Sequence, residues 1–195
     1  MPLQALLARP RHAFDQELLH ADPQFRRLSP ADAARAIAAA VADGRRHAAS
    51  WDGSPGAMAS AIGLPVRTVR TSNRFGPIFQ FAEYRSRPPG IAIYQEAMDL
   101  PRREIRWHGL ADALGLDDPE PVYLAHEIYH HLDAAAAVSI ARSVPVTTLA
   151  LGALRLRSGL VSLTEIAAAA FAQSLTGLSC HPRLLDVLAR NALVR

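Results

Sequence analysis

Hydrophobic and polar positions follow successive patterns along this chain. Up to residue 62 the spacing is helical: Ser29, Pro30 and Asp32 form a helix start, and the helix is predicted to run to Gly44. A short helix follows over 57–62. Alternation with a period of two then predicts strands over 66–71, 77–84 and 91–94. From Pro101 onward the pattern is helical again, with breaks at Gly115, Pro145, Gly159, Gly177 and Pro182.

A group of strands followed by a group of helices is typical of an α+β arrangement. We therefore predict a small, mainly antiparallel sheet packed on a helical region. The 195 residues contain no internal repeat and no low-complexity linker, so they are expected to form one domain. Residues 56–178 would form its core, and residues 1–50 a helical N-terminal extension.

The helical region contains an H-E-x-x-H pentad, which runs from His126 through Glu127 to His130. On a helix, positions i and i+4 lie on one face, so both imidazoles can bind a single ion. Zinc takes neutral nitrogen ligands and needs a base for the water that it polarises, which Glu127 can supply. Because the flanking apolar residues predict burial of this helix, its polar groups need partners. We predict Zn²⁺ here; the alternative is a packed or solvated histidine pair without metal.

A catalytic zinc site with three protein ligands needs one more ligand beyond the histidine pair. The single cysteine, Cys180, lies far beyond His130 in the chain. Glu165 is the better candidate, because it begins a predicted helix of small residues that can approach a neighbouring helix closely. Ser162 and Glu165 also match a capping box, which is the alternative role for Glu165. Asp133 is a second candidate for the third ligand.

These two motifs together resemble the ImmA/IrrE family of zinc metallopeptidases, and the resemblance covers about residues 56–178. The matching positions are Leu124, Ala125, His126, Glu127, Ile128, His130 and His131, followed by Glu165, Ala168, Phe171, Ala172 and Leu175. The resemblance implies a zincin-like fold with the pentad on one helix and a glutamate ligand on the next. It also implies that the strand over 91–94 is an edge strand along which substrate lies.

The expected activity is hydrolysis of peptide bonds, with His126, His130 and Glu165 as zinc ligands and Glu127 as the general base. Candidates for a further donor to the developing oxyanion are Tyr84, Tyr94 and His131. Asp133 and Glu120 are candidates for hydrogen bonds that orient the histidine ligands. For Tyr129 and His131 we favour the interpretation that each is simply a packed or solvated side chain.

The composition bears on the cellular location of the protein and on the kinds of partner that it can bind. With a single cysteine and no apolar run of about 18–20 residues, the chain is expected to be cytoplasmic and not to span a membrane. All 21 basic residues are arginine, which together with the many alanines is typical of a GC-rich bacterial genome. The formal charge is +3, but the arginines are scattered and not interleaved with aromatics, which argues against direct nucleic-acid binding.

The expected partner is a protein or peptide substrate, with a transcriptional regulator as one possibility; the sequence does not predict the oligomeric state. Two other functions stay open. One is a zinc hydrolase of a non-peptide amide or ester, because zinc and a glutamate base do not select the substrate. The other is a regulatory or binding module that has the zincin fold with little turnover.

Overall fold

The computed structural model describes residues 3–71, 73–75, 78–151 and 154–193, and its architecture is α+β. Within these residues nine α-helices and two short 3-10 helices, Phe25–Arg27 and Ile140–Arg142, are found. None of the helices is both long and apolar enough to cross a membrane. In chain order the α-helices are α1 Leu3–Leu7, α2 Arg11–His20, α3 Pro30–Ala49, α4 Pro55–Ala61, α5 Gln95–His108, α6 Ala111–Leu114, α7 Glu120–Ala135, α8 Ser162–Thr176 and α9 Arg183–Asn191.

The main sheet is small, as predicted, but it is mixed instead of mainly antiparallel. It contains β1 Val66–Val69, β4 Ala82–Ser86 and β5 Pro89–Tyr94 in the order β1-β5-β4. The β1 and β5 strands run parallel, whereas β4 and β5 are antiparallel. The strand over 91–94 was expected at an edge, but it is the central strand, because β1 pairs with its other side. Among the described strands, β4 is one of the two edges of this sheet.

Two further strand pairs differ from the sequence prediction. The predicted strand over 77–84 is divided at Phe81 into β3 Ile78–Gln80 and β4, and β3 pairs with β2 Asn73–Phe75. Pro77, the predicted start of that strand, lies outside the described residues. The region after Pro145 is not helical throughout, since β6 Val146–Leu151 and β7 Leu154–Ser158 form an antiparallel pair. The β-branched run at the start of β6 favours extended backbone over helix.

Helix α3 begins as predicted, with the Ser29 hydroxyl accepting a hydrogen bond from the amide of Asp32 at 3.1 Å. The prediction that it stops at Gly44 was wrong, because the helix continues to Ala49. A Cβ atom at Gly44 would lie 2.1 Å from the carbonyl oxygen of Ala167 in α8. Glycine at this position is thus a point of close contact between α3 and α8, where both helix backbones meet.

The N-terminal residues belong to the same hydrophobic cluster as the helices that carry the pentad and Glu165. Leu6 of α1 and Leu19 of α2 are buried in it together with Leu163 of α8. Asp22 holds the start of α8, because its Oδ2 atom accepts a hydrogen bond from the Ser162 amide at 3.0 Å. The segment predicted as an extension therefore helps to hold α8 in position.

Helix α7 packs between α8 on one side and β4 on the other. Its start is marked by Asp118, whose Oδ1 atom accepts a hydrogen bond from the Glu120 amide at 3.1 Å. Ala125 and Ile128 are fully buried. This burial fixes the rotation of α7 about its own axis, and so decides which neighbours the pentad side chains face.

Candidate metal centre

Helices α7 and α8 bring together the side chains that the sequence singles out as metal ligands. The Nε2 atoms of His126 and His130 lie 3.1 Å apart. One carboxylate oxygen of Glu165 lies 3.2 Å from the His126 Nε2 atom, and the other lies 3.5 Å from the His130 Nε2 atom. One ligand atom from each residue can be chosen so that all three lie within 4.8 Å of one another, and this group could hold a metal ion.

The spacing of these atoms fits a small tetrahedral ion. Zinc lies about 2.0–2.1 Å from nitrogen and oxygen ligands, which places neighbouring ligand atoms of a tetrahedron about 3.3 Å apart. The two Nε2 atoms are 3.1 Å apart, and each lies near that value from one of the two Glu165 oxygens, at 3.2 Å for His126 and 3.5 Å for His130. Two imidazole nitrogens and a carboxylate are also a ligand set that zinc accepts in catalytic sites.

Glu165 does not act as a helix cap. In a capping box Glu165 would accept from the Ser162 amide, but that amide donates to Asp22 Oδ2. The Ser162 hydroxyl has no hydrogen-bond partner among the described residues. The alternative ligand, Asp133, is used elsewhere: its two oxygens accept hydrogen bonds from the Ser139 hydroxyl at 2.7 Å and the Ile140 amide at 2.8 Å. Of the two carboxylates considered as third ligand, Glu165 is the one that faces both histidines.

Without a metal ion, the pKa values of the three side chains are shifted in different directions. Burial by itself would lower the pKa of His126, but the hydrogen bond and charge of Glu165 raise it to about 9. Burial and the neighbouring His126 charge lower the pKa of His130 to about 4. Burial would raise the pKa of Glu165, and the bond and charge of His126 instead lower it to about 2. At neutral pH an imidazolium–carboxylate pair therefore lies beside a neutral imidazole.

Glu127 points to the neighbouring edge strand, and its Oε2 atom accepts a hydrogen bond from the Tyr84 amide of β4 at 2.8 Å. Burial raises the pKa of Glu127 above its ordinary value, whereas the His126 charge and the Tyr84 amide act to lower it. A raised pKa brings a carboxylate closer to the range in which it can both take and return a proton. The sequence candidate for the general base thus lies between β4 and the group formed by His126, His130 and Glu165, which we call the metal cluster.

Tyr84 links β4 to α7 a second time, because its hydroxyl lies 3.1 Å from the Nδ1 atom of His131. Two of the donor candidates are therefore bonded to each other. The third, Tyr94, lies on the central strand and donates its hydroxyl to a Glu83 carboxylate oxygen at 2.8 Å, away from the metal cluster. Tyr129 is buried with its hydroxyl bonded to Asp43 of α3, in agreement with the packed interpretation.

The two carboxylates proposed to orient the histidine ligands are engaged in other contacts. Glu120 accepts a hydrogen bond from Arg102 at 2.6 Å, within an ion-pair network that also contains Asp118. Asp133 holds the segment after α7, as described above. These two candidates from the sequence are not supported as partners of His126 or His130.

A groove runs along β4 and past the metal cluster; we call it the edge groove. On one side of Glu127 it holds a cavity of about 280 Å³ lined by Phe81, Tyr123, His126 and Asp186, among others. On the other side a cavity of about 410 Å³ is lined by Tyr84, His130 and Thr164, among others. Both cavities share Gln80, Ala82 and Glu127.

Sequence reasoning missed the pair formed by Tyr123 and Asp186 in this groove. The Tyr123 hydroxyl donates to Asp186 Oδ1 at 2.9 Å, and burial raises the pKa of both groups. Tyr123 precedes His126 by three positions, so helical spacing places it on the same face of α7 and could have identified it. Asp186 comes from α9, and no local pattern indicates that α9 lies here.

Comparison of the chain with family models, with curated proteins and with solved structures gives no match.

Proposed function

We propose that this protein is a zinc-dependent metallopeptidase of the H-E-x-x-H type, in which Glu127 is the general base. The observation that supports it most is the joint position of two features. Ligand atoms of His126, His130 and Glu165 lie within 4.8 Å of one another, and the adjacent Glu127 is bonded to an edge strand. A peptide added to that edge would lie beside both features. The motif resemblance to ImmA/IrrE peptidases supports the same proposal.

The substrate would bind as an extended segment alongside β4. The Tyr94 amide donates to the Phe81 carbonyl at 2.9 Å, so these two residues form a hydrogen-bonded pair of the β4–β5 ladder. In an antiparallel ladder such pairs alternate with pairs whose backbone groups face outward, which here include Ala82 and Tyr84. The Tyr84 amide already donates to Glu127. The outward groups of Ala82 and the Tyr84 carbonyl are therefore the ones suited to pairing with another strand, as in peptide recognition by β-augmentation.

The chemistry follows from the groups around the cluster. Zinc held by His126, His130 and Glu165 would polarise a water molecule and the substrate carbonyl. Glu127 takes a proton from that water as the oxygen forms a bond to the carbonyl carbon. It then passes the proton to the amide nitrogen as the carbon–nitrogen bond breaks, so that a carboxyl and an amine leave. The raised pKa of Glu127 supports its use in both directions.

The decisive variant is Glu127→Gln, which keeps the size and the acceptor for the Tyr84 amide but removes the base. We expect zinc content to be unchanged and peptide turnover to fall by about 10²–10⁴-fold. Elemental analysis and cleavage of casein or a peptide pool by the zinc-loaded proteins measure the two quantities. Loss of zinc in the variant would instead make Glu127 a ligand or structural group. Turnover by neither protein, with a partner bound by both, would favour the binding-module function.

A further inference from the structure

The edge groove continues beyond the metal cluster to helix α9. This part, which we call the α9 arm, is a cavity of about 330 Å³ whose lining includes Phe79, Phe81, Arg183, Arg190 and Leu193. Phe79, Phe81, Arg183 and Asp186 also line the cavity that contains His126, so the two spaces adjoin. A segment bound along β4 would therefore pass from the metal cluster into a space with aromatic walls and two arginines.

The arginines of the α9 arm have no carboxylate partner within the described residues. The Arg183 guanidinium makes no ion pair or hydrogen bond there, and Arg190 Nε donates to the backbone oxygen of Asp186 at 3.3 Å. The acids on which these charges act are held by other groups. Glu17 is bonded to Arg9, Asp186 accepts from Tyr123, and Glu165 faces the histidines.

We propose that the α9 arm binds an acidic side chain of the substrate, flanked by an apolar residue of the same peptide. This inference rests on the proposed function and names the class of substrate. A guanidinium forms two parallel hydrogen bonds with a carboxylate, and the walls formed by Phe79 and Phe81 fit an apolar neighbour. Arg183 lines both cavities, which places the acidic side chain near the bond that is cleaved.

The bound segment is an internal one, with chain continuing on both sides. The edge groove extends on both sides of Glu127, to the α9 arm in one direction and to His130 and Thr164 in the other. A site for a terminal carboxylate would need to end beside the metal cluster, whereas the α9 arm continues past Arg183 to Arg190. Asp or Glu within an extended segment is therefore the acid that we assign to this arm.

Binding is tested first on the zinc-loaded Glu127→Gln protein, which should not cleave the probe. The probes are fluorescent peptide pools randomised over neutral residues and differing at one central position, which is Glu, Gln or Lys. We expect the Glu pool to bind about tenfold more tightly than the Gln pool, as for a hydrogen bond to a charged group. Equal binding of the Glu and Gln pools, or no binding of any pool, would overturn the inference.

Charge exchange at the arm gives the second test. In the same background Arg183→Glu should reverse the preference towards the Lys pool, and Arg183→Gln should abolish it. The matched control is Arg106→Glu, which makes the same change of charge at an exposed position of α5 outside the lining of the α9 arm. Zinc content equal to that of the parent protein shows that the variants are folded. An unchanged preference for Glu in Arg183→Glu would contradict the assignment.

Cleavage of the same pools by the wild-type protein separates this inference from the proposed function. Binding that selects the Glu pool, without cleavage of any pool, would support the α9 arm and contradict proteolysis. Cleavage of all pools at one rate would support proteolysis and contradict the α9 arm. Preferred cleavage of the Glu pool, read by mass spectrometry with the acid on one side of the new terminus, would support both.

Discussion

Of the clusters that combine histidine with a carboxylate in the described residues, two that are at least partly buried differ in which atoms are left to bind a ligand. In the metal cluster the side chains of His126, His130 and Glu165 are 23%, 21% and 43% exposed. In the second cluster His181 and Asp15 are 0% and 3% exposed, with the His181 Nε2 atom 3.2 Å from Asp15 Oδ1. The first faces a groove, and the second is buried among α2 and the start of α9.

The ring nitrogens explain why only one of these clusters suits a metal. The Nδ1 atom of His181 accepts a hydrogen bond from the Arg183 amide at 3.2 Å, so its Nε2 atom carries the proton and donates to Asp15. Phe14 covers the ring, with 5.0 Å between centroids. The Arg11 Nε atom lies 3.7 Å from the other Asp15 oxygen. Both nitrogens are in use and a cation is already present, whereas the Nε2 atoms of His126 and His130 converge.

The sharpest test of this difference is to remove one metal-ligand candidate. We expect the wild-type protein to bind about one Zn²⁺ per chain, as a three-ligand site should. His126→Ala should abolish that binding, because two ligands do not hold the ion at neutral pH against competing buffer. Elemental analysis after zinc reconstitution and desalting measures the result. Full zinc occupancy in His126→Ala would show that the cluster is not the metal site.

The reciprocal change is Asp15→Ala in the buried cluster. It leaves the His181 Nε2 donor without its acceptor and Arg11 without the nearby carboxylate charge. Removal of one partner from a buried ion pair costs about 3–5 kcal/mol of unfolding free energy. Zinc binding should be retained. Urea unfolding of the metal-free protein measures the loss, with Asp52→Ala as a control at an exposed position. A loss no larger than that of the control would mean that the buried pair does not stabilise the fold.

Glu165→Gln tests the third ligand against the capping alternative. Loss of a ligand should lower zinc affinity by more than the about 10–100-fold typical of groups that only orient ligands. Loss of a cap would lower stability by about 0.5–2 kcal/mol and leave zinc affinity intact. Ser162→Ala is the matched control, because it removes the other member of the predicted capping box, whose hydroxyl has no partner among the described residues. Competition with a zinc-binding dye measures affinity, and equal affinity in wild type and Glu165→Gln would favour the cap.

The metal cluster also predicts a pH dependence for the stability of the metal-free protein. Between about pH 6.5 and 9 the folded state holds one more proton, on His126, so the free energy of unfolding falls as pH rises. Between about pH 4 and 6.5 the unfolded state holds one more proton, on His130, so the free energy of unfolding falls as pH decreases. Below pH 4.5, the ordinary pKa of a glutamate, the lowered pKa of Glu165 makes the free energy of unfolding fall further. The cluster's contribution should therefore be largest near pH 6.5.

Urea unfolding at several pH values measures this profile. Glu165→Gln removes the group that raises the pKa of His126, so the decrease on the alkaline side should flatten in that variant. An identical alkaline decrease in both proteins would assign it to other groups.

Because His126 is protonated at neutral pH before metal binding, zinc binding should also release about one proton, which an unbuffered titration detects.

Predictions from local sequence patterns were correct where the structure depends on residues that are close together in the chain. The Ser29 cap depends on a residue three positions away, and the convergence of His126 and His130 depends on helical spacing. The errors have long-range causes. Gly44 is typical of a helix end, but here it meets the backbone of α8. The strand over 91–94 became central because β1, more than twenty residues earlier, pairs with it.

The sequence by itself determined that His126 and His130 share a face of α7 and that Glu127 lies beside them, because helical geometry fixes the directions of side chains a few positions apart. Only the tertiary structure decided that Glu165 faces the histidines and does not cap α8. It also decided that β4 is the strand beside Glu127 and that α9 supplies Asp186 and Arg183. These positions depend on how separate elements pack, with α8 held by Gly44 of α3 and by Asp22. Such contacts join residues distant in the chain, and no local spacing encodes them.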